Sequence, residues 1–247
     1  MNNTSADAPR SAAGPGGTGS PDPRVHSREN PRGASGPASG QASPGSSQGS
    51  LGRPSGRRRW TSADLSLIAV FAALTAVFSV LPGVPLGAGV PITLQTLAVM
   101  LTGMLLGPWR GAAAVGLFVL AGLAGLPVFS GFSGGLGVLA GPSVGYLLSF
   151  PVAAAVAGLL SGLVLRRPRR ARAVLLFAAA LATSFIVVHP AGIAGLMLNA
   201  HLSFPAALAA DMAFWPGDVI KNVLASVVAV NVFKAFPSMA TPGRGSR

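Results

Sequence analysis

Cysteine is absent from the 247 residues, which excludes disulfide cross-links and thiolate metal ligands. Charge is scarce: Asp, Glu, Lys and Arg make up 10% of the chain, against about 25% in a soluble domain. Acids are scarcer still, six in all, and from Leu65 onward only Asp211 and Asp218 occur. Three scattered histidines argue against a metal centre. No G-x-x-x-x-G-K-[ST] loop, zinc-protease helix or serine nucleophile elbow is found. The chain itself is therefore expected neither to hydrolyse ATP nor to act as an enzyme, and no cofactor or metal is called for.

What is abundant is apolar. Half of the residues are hydrophobic and the mean hydropathy is +0.58, the composition of an integral membrane protein. A net charge of +12 suggests nucleic acid at first sight, but its distribution argues otherwise. Of 18 Lys and Arg, eight precede Trp60 and the others fall in short segments between apolar runs. That pattern orients a membrane protein; it is not a nucleic-acid footprint.

Residues 1–59 are Gly, Ser, Pro, Ala and Arg with almost no large apolar side chain, Val25 and Leu51 excepted. Such a segment cannot bury enough surface to offset its ordering entropy and is expected to be a disordered tail with no signal-peptide core. It ends in Arg57-Arg58-Arg59-Trp60, a basic cluster and an interfacial aromatic. The membrane domain is placed at 60–236 and a short C-terminal tail at 237–247.

Six apolar runs follow, near 64–81, 92–107, 111–126, 142–165, 173–198 and 216–236. The expected fold is all-α, with six transmembrane helices and ordered Gly/Pro-rich outer loops. A straight span needs about 20 residues, so the second and third runs are short. Gly107-Pro108 and Gly141-Pro142 mark the starts of the third and fourth helices. Placing Arg57 to Arg59 in the cytoplasm brings Arg110, the run Arg166 to Arg172, Lys234, Arg244 and Arg247 to the same side. The opposite loops, roughly 82–91, 127–141 and 199–215, contain no Lys or Arg. The chain is thus expected in the cell membrane with both termini inside.

The outer loops are unusual in being apolar and rich in Gly, above all Gly125 to Pro142. Glycine lets backbone approach a ligand, and non-helical backbone at membrane depth is tolerated where it lines a cavity. Three such segments are expected to lid a pocket on the outer side.

Asp218 and Lys221 stand three residues apart in Pro216-Gly217-Asp218-Val219-Ile220-Lys221, on one face of the last helix. A charge at mid-membrane costs about 2.5–3.5 kcal/mol, so an intramembrane pair is a functional candidate. Lys221 and the helix N-terminus together suit an anionic group, with Asp218 accepting from ligand N–H donors or orienting the lysine. The plainer reading makes Asp218 an N-cap and Lys221 its partner, or a side chain snorkelling to the interface. His189-Pro190 reads as a kink with a locally satisfied histidine, and His201 and Asp211 as solvated or interfacial residues of the last loop. Ala69/Ala73 and Ala72/Ala76 give small-xxx-small spacing on the first helix, which by spacing alone favours packing within the chain.

The run Val90-Pro91-Ile92-Thr93-Leu94-Gln95-Thr96-Leu97-Ala98-Val99, then Leu105-Leu106-Gly107-Pro108-Trp109-Arg110-Gly111, resembles the biotin-transporter BioY family. So do Gly125-Leu126-Pro127-Val128-Phe129 through Gly141-Pro142, Gly145-Tyr146-Leu147, and Pro216 to Lys221. The likeness covers about 65–235. It implies a six-helix substrate-capture subunit (S component) of an energy-coupling factor (ECF) importer. Such a subunit binds biotin from outside, while a separate transmembrane subunit and two ATPase subunits drive uptake. The implied binding residues are Asp218, Lys221, Phe129, Phe132, Ser133, Gly134, Gly135 and Tyr146, with Trp215 a further aromatic. The implied docking residues are Ala69 with Ala73, or Ala72 with Ala76.

Three competing readings remain at this point. One is an S component for another small vitamin, and one a solitary proton-coupled carrier titrating at Asp218 and His189. The third, a membrane enzyme, needs Asp218, Asp211 and His189 to converge, which their positions in helix and loop speak against.

Overall fold

The computed structural model describes residues 60–83 and 90–240. The expectations for 1–59, for most of the first outer loop and for 241–247 lie outside the described residues. Within them every named element is helical; isolated bridge residues occur at Ile92 and between Phe129 and Ser133. Five helices are long and apolar enough to cross a membrane: Ser62–Val80, Gln95–Leu123, Val144–Val164, Arg169–Asn199 and Trp215–Ala235.

Helix α1 (Ser62–Val80) begins in a capping box, in which the Thr61 hydroxyl accepts from the Asp64 N–H and the Asp64 carboxylate accepts from the Thr61 N–H. It buries Ile68, Ala72, Thr75 and Ser79, one stripe at helical spacing, and leaves Val70 and Val77 exposed. Apolar side chains on the outer face are what a lipid solvent demands.

The expected second and third runs form one element, α2 (Gln95–Leu123), broken at Gly107. There φ is +80°, which costs glycine little, and Pro108 supplies no N–H to continue the helix. The two arms fold back on each other. A Cβ on Gly111 would lie 2.9 Å from the Gly103 Cα, whereas eight residues of unbroken helix span about 12 Å. Helix α3 (Val144–Val164) packs against this hairpin: the Ser161 hydroxyl donates to the Met104 carbonyl at 3.1 Å, and Gly158 sits against Gly107 and Pro108. Close backbone approach at small residues is the usual way for helices to associate where water exclusion drives nothing.

Arg110, beside the turn, forms an ion pair with Asp64 at 2.7 Å. The start of α1, the Gly107 turn and the end of α3 therefore share one side of the molecule. After α3, Arg172 turns back to donate to the Leu165 and Arg167 carbonyls, closing the arginine-rich connection.

Helix α4 (Arg172–Thr183) runs through one wide turn, Ser184–Val188, into α5 (His189–Asn199). Pro190 lacks the N–H that regular helix pairing needs, and the wider turn before it absorbs the missing bond. The segment 199–215, expected to be a loop, contains the short helix α6 (Phe204–Met212), with Pro205 in its first turn. The last helix, α7 (Trp215–Ala235), packs on α2 and α4.

The Gly-rich connection between α2 and α3 makes two short helical turns, Ser130–Phe132 and Leu136–Ala140. Gly135, at φ +86°, donates its N–H to the Gly122 carbonyl at 2.7 Å. The Asn199 amide at the end of α5 donates to the Leu139 and Gly141 carbonyls at 2.7 and 3.0 Å, fastening this connection from the other side.

Candidate functional site

The starts of α2, α3 and α7 and the Gly-rich connection enclose a cavity of about 250 Å³ at the end of the bundle remote from Arg110. Its polar wall is built on the first turns of α7 and α2. Asp218 and Lys221 are both buried, at 3% and 6% exposure, so neither is solvated and the lysine does not snorkel outward. The N-cap of α7 is Phe214, not Asp218, whose own N–H already donates to the Phe214 carbonyl. The Asp218 carboxylate is thus free to face sideways. Its Oδ1 accepts from Lys221 Nζ at 2.6 Å and from the Thr96 hydroxyl at 3.1 Å. Lys221 Nζ also lies 3.1 Å from Thr96 Oγ1. With Asp218 and Thr96 as partners, one of the three ammonium N–H groups remains for a ligand.

Four aromatic rings, Phe129, Tyr146, Phe150 and Phe214, stand in the remaining wall among aliphatic side chains and the hydroxyls of Ser130, Ser133 and Ser143. Phe129 is set edge-on to Phe118, with ring centres 5.4 Å apart, and Tyr146 packs against Phe214 and the bare face of Gly192. Gln95 lines the cavity too, buried, and its amide makes no hydrogen bond to another described residue.

Of the binding residues named from the sequence, Asp218, Lys221, Phe129, Ser133 and Tyr146 line this one cavity. Phe132, Gly134 and Gly135 do not. Phe132 points away, 69% exposed. Gly134 is packed against the Leu126 carbonyl with no room for a Cβ, and Gly135 is held by its N–H bond to Gly122, so both shape the connection rather than line the cavity. Trp215 faces Asp211 rather than the cavity.

Asp211 is the main surprise. Expected to be solvated or interfacial, it is fully buried, because α6 folds inward and places it beneath the first turn of α7. Its Oδ1 accepts from Tyr146 at 2.7 Å and its Oδ2 from Trp215 Nε1 at 2.9 Å. His189 Nδ1 lies 2.9 Å from the same Oδ1, while Nε2 is 3.4 Å from Asp218 Oδ2. The histidine is therefore locally satisfied on one nitrogen only. Asp211, His189 and Asp218 do converge, contrary to the expectation from their places in the chain. Among the described residues no group is arranged to hold a metal ion.

Sequence reasoning passed over Thr96 and Gln95 as site residues, although both stand in the quoted motif, where it enters α2. The signal for Asp211 was present as well: it is one of only two acids beyond Leu65, and Trp215 follows one helical turn later.

On α1 the two alanine registers separate. Ala69 and Ala73 are exposed, Ala72 is buried against the bundle, and Ala76 is half-buried.

Comparison with known proteins identifies the family. A biotin transporter BioY of Rhodobacter capsulatus is 41% identical over 187 residues, covering 71% of this chain and 95% of the relative. One from Rhizobium etli is 39% identical, covering 72% of this chain and 96% of the relative. The crystal structure of the S-component for biotin from an ECF-type ABC transporter superposes with a TM-score of 0.65 at 30% identity, over 70% of this chain and 91% of that one. The sequence pattern of the BioY family is matched by residues 54–238, and the chain belongs to that family.

Proposed function

We propose that this protein is the substrate-capture subunit of an ECF-type importer and that its substrate is biotin. The observation that carries the reading is the Lys221–Asp218–Thr96 group, with both charges buried, on the polar wall of a cavity also lined by four aromatic rings, in a BioY-family chain. Biotin presents a carboxylate, a ureido ring with two N–H donors and one acceptor, and an apolar fused ring and chain. Lys221, oriented by Asp218 and Thr96, meets the carboxylate with its third N–H. Gln95 and the backbone of the Gly-rich connection meet the ureido group, and Phe129, Tyr146 and Phe150 cover the apolar parts. The chain works as a carrier component, in keeping with a transporter family, and performs no covalent chemistry.

The membrane arrangement follows from the same reading. The arms of α2 count as two short spans, which gives six, and the arginine-rich side faces the cytoplasm with both termini. The cavity then opens outward. A transmembrane coupling subunit docks on α1 over Ala69 and Ala73, the exposed register, and two ATPase subunits supply the energy.

Titrating purified protein in detergent with biotin, and separately with thiamine and riboflavin, tests the substrate. Saturable one-to-one binding of biotin alone is expected. Equal binding of another vitamin, or no biotin binding by folded protein, overturns the assignment.

A further inference from the structure

We infer that capture of an anionic ligand is linked to uptake of one proton, held on His189 between Asp211 and Asp218. The inference rests on the biotin reading for the identity of the anion and on the geometry behind the cavity for everything else.

His189 is 3% exposed and lies one layer behind the cavity wall. Asp211 accepts from Tyr146 and from Trp215, both of which present donors to it, so the imidazole nitrogen facing it carries the hydrogen. That fixes the neutral ring as the Nδ1–H form and leaves a lone pair on Nε2. Yet Nε2 faces another acceptor, Asp218 Oδ2, at 3.4 Å, and is one of three buried side-chain atoms without a partner among the described residues. Oδ1 of the same carboxylate is already committed to Lys221 and Thr96. A single hydrogen between Nε2 and Oδ2 turns two opposed acceptors into a donor–acceptor pair.

Charge leads to the same place. The groups that face the ring are Asp211 from α6 and Asp218 from α7, with Lys221 behind Asp218 and Tyr146 from α3 behind Asp211; the wide turn before α5 contributes only Phe185. With a neutral imidazole the two carboxylates outnumber the one ammonium. A ligand carboxylate set against Lys221 adds another negative charge to a buried site, where like charges are poorly screened. A proton arriving from solvent through the cavity restores the balance: ligand anion and proton enter together, no bond is made or broken elsewhere, and the imidazolium then donates to both carboxylates. His189 is thus a positioning residue for Asp218 as well as the proton's seat.

The test uses the full chain in nanodiscs, with biotin titrated calorimetrically in buffers of different ionisation heat across about pH 5 to 8, where imidazole is the ordinary side chain that changes charge. A free carboxylate is almost fully ionised above about pH 6, so from there upward the ligand contributes no slope of its own, and the slope is read there. Affinity is expected to fall with rising pH by up to about tenfold per unit, with net proton uptake wherever the slope appears. Biotin methyl ester, which brings no charge, should bind with a flat profile, and H189Q should flatten the profile for biotin. Biotin binding without proton uptake, or an unchanged slope in H189Q, overturns the inference and leaves the capture reading standing. Failure of biotin to bind folded wild-type protein removes both. If H189Q does not fold, the wild-type proton count decides alone.

Discussion

Lys221 Nζ sits 2.6 Å from Asp218 Oδ1, one turn along the same helix, with both side chains inside the bundle. Each charge is tolerated because the other is there. Removing the lysine alone therefore has two effects. K221M should weaken biotin binding by about ten- to a hundredfold, the loss of a charge-assisted hydrogen bond. It should also lower thermal stability by about 3–5 kcal/mol, because Asp218 is left buried and uncompensated. The D218N/K221M double variant should regain most of the stability and none of the affinity. Wild-type affinity in K221M, measured by equilibrium binding, would remove the pair from the site.

Thr96 touches both members of that pair from α2. T96V keeps the shape and deletes the hydroxyl. About 1 kcal/mol, or roughly fivefold in affinity, should be lost as the lysine is less firmly aimed. An effect on folding yield without any change in biotin affinity would make Thr96 purely structural.

The alanines of α1 should divide by face. A69W and A73W lie on the exposed side and should abolish co-purification with a coupling subunit and ATP-driven uptake, while equilibrium biotin binding stays near wild type. A72W points into the bundle and should lower yield and binding together. Ala76, half-buried at the boundary, should give a mixture of the two in A76W. Full uptake and co-purification in A69W and A73W would move the docking surface elsewhere.

How much of this was legible beforehand depends on how far each signal reaches along the chain. A charge in an apolar background is visible locally, which is why Asp218 and Lys221 stood out. The break at Gly107-Pro108 was legible for the same reason, since backbone chemistry acts where it stands. Thr96 meets Asp218 across 122 residues, and no local pattern marks a threonine in a helix's first turn as its partner. Asp211 was misplaced because 199–215, lying between two long apolar runs and broken by Ser203-Phe204-Pro205, reads as a connection, whereas α6 turns it inward. Its burial is decided by Tyr146, His189 and Trp215, which arrive from three different elements. Phe132 and the two glycines after Ser133 were named as a block, and only the folded connection shows which of its residues face inward.

The two hydrogen bonds from Asn199 to the Leu139 and Gly141 carbonyls act on time rather than on fit. They hold down the cover of the cavity without touching its contents, so their strength governs how often the cover lifts. N199A should therefore speed biotin release several-fold in a chase experiment and speed entry with it, so that equilibrium affinity changes little. Under the proposed coupling to a separate subunit, a bound vitamin must wait for that subunit to arrive, and the wait can be no longer than its residence. Asn199, outside the binding wall altogether, sets the clock against which capture has to be turned into uptake.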